Sequence, residues 1–254
     1  MKKLHQIFLI MTFIAVSGCG HKPELLPLTD YSRTPEKRLL NLVAQACPRL
    51  TNTQGARGTG VLVSADGLIM TDLHVTDTDD IITIDFFKLS SDYYNVLEHS
   101  FTTTGRVVFF SDPKLDFTLI KADALPPNVK PLVLAPYDAL IKDQPVWRFG
   151  YNQNYRWSYG YFVATDAETT GDYIGKKMLI SGGPGSSGGP IVNGRGQVLG
   201  IIQRGYDCTN TVIIDNGKRM FIHNPATAYF MPIDMIRGLL LKAIQEKSLK
   251  IEGF

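Results

Sequence analysis

Between Gly58 and Tyr229 the sequence alternates short β-branched and aromatic runs with turn residues, and this texture limits the fold more than any other feature. Typical runs are VLVS, LIMT, IITIDFF, DFTLI, VLGII and TVIID, and typical turn signals between them are ADG, NGRG and NGK. Many short strands with turns between them are typical of all-β sandwiches and barrels. We therefore predict an all-β domain over about 170 residues.

Helical patterns flank this region on both sides. The segment 35–46 has Thr34 as a candidate cap, a proline suited to the first helical turn, and an apolar stripe through Leu39, Leu40 and Val43. The segment 232–247 also has helical period, with an apolar face made of Ile236, Leu239, Leu240 and Ile244. We expect a short N-terminal helix and a C-terminal helix packed on the β domain.

The N-terminus has the pattern of an export signal. Lys2 and Lys3 precede the apolar run IFLIMTFIAV, which is too short to span a bilayer as a helix but fits a secretory signal. The following V-S-G-C resembles the bacterial lipobox, and this implies cleavage before Cys19 and lipidation of its thiol, palmitate included. A plain secretory signal with an incidental cysteine is the alternative. The predicted divisions are a signal peptide at 1–18, a tether at 19–34 and one domain at 35–254.

The predicted lipid anchor determines the expected location. Acyl chains on Cys19 would hold the chain on a membrane, since each buried methylene contributes about 0.8 kcal/mol. By resemblance to enterobacterial lipoproteins, an Asp after the cysteine would favour the inner membrane, whereas this chain has Gly20. We expect a lipoprotein of the bacterial cell envelope, on the outer membrane and facing the periplasm, with a secreted or periplasmic protein as the alternative.

Charge argues against nucleic acid as a partner. The formal net charge is +2, and removal of Lys2 and Lys3 with the signal would bring it to zero. A neutral chain without a run of five or more like charges is a poor candidate for binding nucleic acid through phosphate contacts. Lipidation of Cys19 would leave Cys47 and Cys208. These can pair in an exported chain or remain as two buried free thiols, and the sequence leaves both open.

Three stretches together indicate nucleophilic hydrolysis. GTGVLVSADGLIMTDLHV ends at His74 and Val75, DPKLDFTLIK contains Asp116, and GGPGSSGGPIV contains Ser187. A serine hydroxyl needs a base with a pKa near neutrality, and histidine supplies one. A buried aspartate can orient the imidazole, and a glycine-rich loop can direct backbone N–H groups at a developing oxyanion.

These stretches resemble the motifs of chymotrypsin-fold, trypsin-like serine proteases, most closely the bacterial HtrA/Deg protease domain. The resemblance implies a double β-barrel of chymotrypsin type with the active site between the barrels. It implies that His74 is the general base and acid, Asp116 its orienting partner and Ser187 the nucleophile. The oxyanion hole would consist of the N–H groups of Gly185 and Ser187, with help from Ser186. No metal or organic cofactor is expected.

The chain departs from the family pattern at several points. No PDZ domain is expected after the closing helix. Ser186 stands where digestive trypsins have Asp, so activation by a freed N-terminus is not expected. Asp72 replaces the Asn that commonly lies two residues before the histidine, and we expect this change to leave the mechanism intact. Asp112 is a weaker competitor of Asp116 for the role of orienting carboxylate.

The resemblance also suggests where substrate binds. Ser181, six residues before the nucleophile, would form the floor of the primary pocket, and its neutrality argues against a preference for Arg or Lys. Gln203, Arg204 and Gly205 would form a pocket wall and the edge that pairs with the substrate backbone. Arg204 either favours an acidic substrate group or faces solvent, and we favour solvent.

The predicted function is therefore a serine endopeptidase, a hydrolase that cleaves envelope or extracellular proteins through an acyl-enzyme. The alternative is a protease-fold module that binds peptides and is inactive or requires an activator. An esterase is a weaker interpretation. The α/β-hydrolases have the order Ser, acid, His and a G-x-S-x-G elbow, and this chain has neither.

Overall fold

A computed structural model describes residues 35–77, 81–91, 96–151, 155–162, 168–170, 173–180, 184–206, 210–215, 218–223, 227–247 and 249 of the chain. The predicted signal peptide and tether, including Cys19, lie outside these residues, as do Ser181 and Cys208.

The first half of the domain is one seven-stranded sheet. Its strands are β1 (Arg49–Thr51), β2 (Arg57–Thr59), β3 (Val61–Leu62), β4 (Leu68–Thr71), β5 (Ile81–Leu89), β6 (Leu97–Phe110) and β7 (Thr118–Ala122). They lie in the order β2-β1-β5-β6-β7-β4-β3, and every pair is antiparallel. The two end strands are consecutive in sequence, with only Gly60 between them, so the sheet curls on itself into a barrel.

The second half is another seven-stranded sheet. Its strands are β8 (Pro145–Tyr151), β9 (Tyr155–Phe162), β10 (Glu168–Thr170), β11 (Tyr173–Leu179), β12 (Pro190–Val192), β13 (Val198–Tyr206) and β16 (Thr227–Pro232). They lie in the order β10-β11-β16-β13-β12-β8-β9, and a further pairing of β11 with β9 closes the barrel. A separate hairpin is formed by β14 (Asn210–Asp215) and β15 (Lys218–His223).

Residue alternation explains why these runs form strands. In β5, Ile82, Ile84 and Phe86 are fully buried while the residues between them are exposed or half-buried, which is the period of two expected for a sheet with one covered face. In β8 nearly every residue is buried, so both faces of this strand are covered. The burial of β8 on both faces matters for the candidate active site, because β8 runs beneath the glycine-rich loop that carries Ser187.

The two predicted flanking helices are present with shifted boundaries. The helix α1 (Lys37–Ala46) begins after Glu36, which caps it without a side-chain hydrogen bond, so Pro35 precedes the helix and does not lie in its first turn. The predicted cap, Thr34, lies outside the described residues. The C-terminal helix α3 (Ile233–Lys247) buries Ile236 and Leu240 completely. Leu239 and Ile244 are partly buried against the same core.

The predicted class is confirmed: two barrel-like sheets form an all-β fold with a helix at each end. A short helix α2 (Leu73–Thr76) lies between β4 and β5. None of the helices in the described part of the chain is long and apolar enough to cross a membrane.

Candidate active site

His74 lies in the first turn after strand β4. The strand residues Leu68–Thr71 are all buried, and so is Asp72, which caps the short helix α2; the chain leaves the core only after it. The imidazole is 40% exposed at the barrel surface. The partly exposed imidazole of His74 therefore lies at the edge of the first barrel, just after a buried strand.

Asp116 holds His74 through both of its carboxylate oxygens. The His74 Nδ1 lies 2.7 Å from Asp116 Oδ2, and the His74 backbone N–H donates to Asp116 Oδ1 at 2.9 Å. Asp116 itself is only 2% exposed. A carboxylate accepts hydrogen bonds, so this geometry assigns the ring proton to Nδ1 and leaves Nε2 as the proton acceptor.

The loop before β7 presents Asp116 and not Asp112. Asp112 is exposed, and its carboxylate accepts the Lys114 N–H at 2.8 Å in a local turn. Asp116 has a left-handed backbone conformation with φ of 50°, which aspartate tolerates better than most residues. Ser111 closes the loop, because its hydroxyl accepts the Phe117 N–H at 3.0 Å.

Asp72 is a second buried carboxylate beside the imidazole. It is fully buried, its Oδ2 accepts the Gly188 N–H at 2.8 Å, and the same oxygen lies 4.0 Å from His74 Nδ1. Its Oδ1 has no hydrogen-bond partner among the described residues. Burial, and then the nearby charge of Asp116, raises the pKa of the Asp72 carboxyl well above its ordinary value. The sequence marked this position only as a departure, although an acid in place of an amide was a usable clue.

The loop carrying Ser187 is pressed against the first barrel. The Ser187 carbonyl accepts the Thr59 N–H at 2.8 Å, and Gly188 donates to Asp72 and to the Ile202 carbonyl. Gly188 has a φ of 75°, and a methyl group there would overlap Thr71 Oγ1 and the Thr59 carbonyl oxygen. Only glycine suits both the backbone conformation and the close approach.

The described residues offer no acceptor to the N–H groups that are expected to form the oxyanion hole. Within the described part of the chain, the N–H groups of Gly185 and Ser187 have no hydrogen-bond partner, whereas Gly189 donates to the Ser186 carbonyl at 2.9 Å. Gly185 has a φ of 84°, a conformation that L side chains rarely adopt. The role of these two N–H groups in an oxyanion hole stays a prediction.

Thr59 connects the two barrels at this point. Its hydroxyl donates to the Gly185 carbonyl at 2.9 Å and accepts the Tyr151 N–H at 2.9 Å. One threonine of the first barrel thus bonds both the Ser187 loop and strand β8 of the second barrel.

Arg148 of β8 is a site residue that the sequence reasoning missed. Its Nη1 donates to the Ser186 hydroxyl, and its Nε donates to the Ser158 hydroxyl at 3.0 Å. The residue is 6% exposed, and burial lowers its pKa to about 10. The signal was weak, since the residue is a single arginine inside the apolar run PVWRFG.

The predicted substrate-binding residues have different environments. Gln203 is 2% exposed, and its Nε2 donates to the Leu115 carbonyl at 2.7 Å, directly before Asp116. Arg204 is exposed, and Gly205 pairs with Ala228 of β16. Because Ser181 lies outside the described residues, the roles of all four in substrate binding stay predictions.

Cys47 is a free, fully buried thiol, and burial raises its pKa well above the ordinary value. A buried free thiol is the second of the two states that the sequence left open for this cysteine.

One group of potential metal-ligand atoms occurs at the site. The side chains of Asp72, His74 and Asp116 offer ligand atoms within 4.8 Å of one another. The shortest of these separations is the His74–Asp116 hydrogen bond, and a cation on Nδ1 would have to replace its proton. The donor arrangement favours a hydrogen-bonded histidine and carboxylate over a metal centre.

Comparison with known proteins gives consistent matches. Residues 58–201, more than half of the chain, match the profile of the trypsin-like peptidase domain. A probable periplasmic serine endoprotease, DegP-like, from Marinomonas sp. (strain MWYL1) is 28% identical over 169 residues. That alignment covers 64% of this chain and 32% of the relative, so the chain spans about a third of the relative's length.

Solved structures show the same fold. The HtrA-type protease AlgW with a bound tripeptide has a TM-score of 0.60 and 22% identity, over 82% of this chain and 64% of that one. The inactive form of the Rv3671c protease of M. tuberculosis H37Rv has a TM-score of 0.54 and 19% identity, over 86% of this chain and 99% of that one. At these identities the structural similarity establishes the double-barrel fold. The chemistry has to be argued from the residues of this chain.

Proposed function

Since this chain belongs to the family of trypsin-like peptidase domains, we propose that it is a serine endopeptidase with His74, Asp116 and Ser187 as its catalytic triad. The observation that carries the proposal is the paired hydrogen bonding of His74 by the buried Asp116, at 2.7 Å from Nδ1 and 2.9 Å from the backbone N–H. The Ser187 loop lies beside this pair, because Gly188 bonds a carboxylate that is 4.0 Å from the same imidazole.

In the first half of the reaction, the Ser187 Oγ attacks the carbonyl carbon of the scissile peptide bond. His74 Nε2 accepts the hydroxyl proton, and Asp116 stabilises the resulting imidazolium. The carbonyl oxygen becomes an oxyanion that accepts hydrogen bonds from Gly185 and Ser187. His74 then gives the proton to the leaving nitrogen as the C–N bond breaks, which leaves an acyl ester on Ser187 and releases the amine.

In the second half, water attacks the acyl carbon while His74 Nε2 accepts one of its protons. A second oxyanion forms in the same place and uses the same donors. The ester bond breaks, His74 returns the proton to the Ser187 oxygen, and the carboxylic acid product leaves. The triad returns to its starting state, and no cofactor takes part in the cycle.

A second candidate function is a peptide-binding module, or a protease that rests inactive until activated. It is favoured by one comparison: the Rv3671c protease has the same fold and was solved in an inactive form. Both candidates use the cleft between the barrels. They differ in whether the Ser187 hydroxyl is activated in the resting chain.

Labelling with a fluorophosphonate separates the two. The full chain, purified in detergent, is treated with the probe, and the adduct is located by mass spectrometry. We expect an adduct on Ser187 that is absent from His74→Ala. A folded wild-type chain without an adduct would overturn the resting-enzyme proposal and favour the binding module.

The cell envelope is the proposed location. The DegP-like relative is described as periplasmic, and the V-S-G-C pattern at Cys19 supports a lipid anchor on the outer membrane. Metabolic labelling with a palmitate analogue should modify the wild-type chain and not Cys19→Ser. After cell fractionation, the Cys19→Ser variant should be recovered apart from the membrane fraction. Membrane recovery of both proteins in equal amounts would contradict the anchor.

A further inference from the structure

A buried carboxyl group that the proposed reaction cycle does not use lies between His74 and the Ser187 loop. Asp72 is fully buried and belongs to the first barrel. Its Oδ2 accepts the Gly188 N–H at 2.8 Å, and the same oxygen is 4.0 Å from His74 Nδ1. Burying a polar group costs free energy unless it is hydrogen-bonded, so the contact with Gly188 indicates what this side chain does.

The hydrogen bond acts on the peptide unit that follows Ser187. The Ser187 carbonyl and the Gly188 N–H belong to one plane, and the Ser187 Cα lies in the same plane. The first barrel holds both polar groups: the Thr59 N–H donates to the Ser187 carbonyl at 2.8 Å, and Asp72 accepts from Gly188. Two hydrogen bonds on one rigid unit restrict its rotation. They therefore constrain where the Ser187 Cα lies relative to the first barrel.

The same side chain is close in the chain to His74. Asp72 caps α2, and its carbonyl accepts the Val75 N–H at 3.2 Å, so residues 72–75 form one tight turn. The Asp72 side chain therefore connects the turn that carries the imidazole to the peptide unit after the serine. We propose that Asp72 is a positioning residue, whose side-chain oxygen holds the Ser187 backbone in the alignment with His74 that proton transfer requires. This inference rests on the proposed function.

The proposed role needs an acceptor oxygen and not a negative charge. Burial, and then the charge of Asp116, raises the pKa of the Asp72 carboxyl, so both disfavour its ionised form. A neutral carboxyl group still accepts an N–H through its carbonyl oxygen, and so does a carboxamide. Asparagine at position 72 should therefore keep the contact with Gly188, whereas a side chain without an acceptor should lose it.

Loss of this contact should disturb the alignment of Ser187 and leave its loop folded. The Gly188 N–H also donates to the Ile202 carbonyl at 2.8 Å, and Ile202 lies in β13 of the second barrel. The Gly188 N–H would therefore keep an acceptor without Asp72. What disappears is one of the hydrogen bonds from this loop to the first barrel.

The test compares Asp72→Asn with Asp72→Leu, which has a similar shape and no acceptor. The full chain is purified in detergent and treated with a small fluorophosphonate, and the rate of Ser187 modification is followed by mass spectrometry at neutral pH. Urea titrations give the folded fraction, so that each rate is expressed per folded chain. We expect the Asn variant to react within about threefold of the wild type and the Leu variant about tenfold more slowly or worse. A purely structural role would change the free energy of unfolding and leave these rates equal.

A matched control is Asp66→Leu, which makes the same change in an exposed turn of the first barrel. The Lys121 Nζ donates to the Asp66 carboxylate at 2.6 Å, and the Asp66 side chain is 53% exposed. This variant should react at the wild-type rate. If Asp72→Leu does not fold, Asp72→Ala takes its place, with the same expected loss.

Each other outcome overturns the inference. Equal rates in the wild type and both variants would overturn it and leave the proposed function intact. Equal slowing of the Asn and Leu variants would show that the charge of Asp72 matters and not its acceptor oxygen. Failure of both the Leu and the Ala variant to fold would make Asp72 a residue of the fold alone. If the folded wild type is not labelled on Ser187, the proposed function fails, and this inference fails with it.

Discussion

The two barrels contribute groups of opposite charge to one cleft. The first barrel supplies the imidazole of His74 with two buried carboxylates, Asp72 and Asp116. The second supplies the Ser187 loop with the buried guanidinium of Arg148 beneath it. The buried ionisable groups are thus divided between the barrels: the first places two carboxylates beside an imidazole, and the second places a guanidinium under the Ser187 loop.

Backbone groups of the Ser187 loop make several of the hydrogen bonds between the two barrels. Thr59 of the first barrel bonds Gly185 and Ser187, and Asp72 bonds Gly188. Because the proposed triad residues come from different barrels, we expect these hydrogen bonds to contribute to their alignment. The following changes test this division, beginning with the one of largest expected effect.

Asp116→Asn should abolish the proposed role of His74 as a base while keeping the fold of the first barrel. An amide cannot accept both hydrogen bonds and favours the wrong imidazole tautomer, so we expect kcat to fall about 10⁴-fold. The matched control is Asp112→Asn. The exposed Asp112 carboxylate closes a local turn, so the kcat of this variant should stay within about threefold of the wild type. Hydrolysis of a peptide that the wild type cleaves measures the kcat of both variants. Equal losses would show that Asp112 shares the role.

Gly188→Ala should separate the loop from the first barrel. The added methyl group overlaps Thr71 Oγ1 and the Thr59 carbonyl oxygen, and φ is 75°. We expect a loss of about 3 kcal/mol or more in the free energy of unfolding, together with loss of Ser187 labelling. Chemical denaturation is the measurement. Gly238→Ala, in α3 with nothing within 4 Å of the new methyl group, should be stabilising by about 0.5–1 kcal/mol.

Thr59→Val should weaken the link between the barrels. Valine keeps the shape of threonine but leaves the Gly185 carbonyl and the buried Tyr151 N–H without their partner. We expect the free energy of unfolding to fall by about 2 kcal/mol and labelling of Ser187 to slow. Thr59→Ser keeps the hydroxyl and should retain the labelling rate. A slow Thr59→Ser variant would assign the effect to packing by the methyl group.

Asp72→Asn should alter the pH dependence of stability. The raised pKa means that the folded chain holds this proton more tightly than the unfolded chain, so its stabilising contribution is complete below the ordinary value of 3.8 and is lost as pH rises through the folded pKa. As pH rises above 3.8, the wild type bears the cost of either keeping this proton or burying the charge, and the asparagine variant bears neither. Its advantage in free energy of unfolding should grow from about pH 4 upward and then level off. Urea titrations at several pH values measure it, and a pH-independent difference would contradict the raised pKa.

The strand pattern and the site motifs could be predicted from local sequence because each depends on neighbouring residues. The period of two in β5 identifies its buried face, and the run before Asp72 identifies the strand β4, which ends at Thr71 shortly before His74. The choice of Asp116 over Asp112 was also indicated, by the apolar strand that follows it. The N-terminal helix boundary was two residues wrong, because cap geometry depends on backbone angles that composition does not specify.

By itself, then, the sequence determined the all-β class, the two flanking helices and the loops on which the candidate triad lies. Only the tertiary structure showed that Asp72 bonds Gly188, 116 residues away, and that Arg148 bonds Ser186, 38 residues away. The physical reason is the same in both cases. A buried polar side chain needs hydrogen-bond partners from distant segments, and which segments meet is decided by how the two barrels pack.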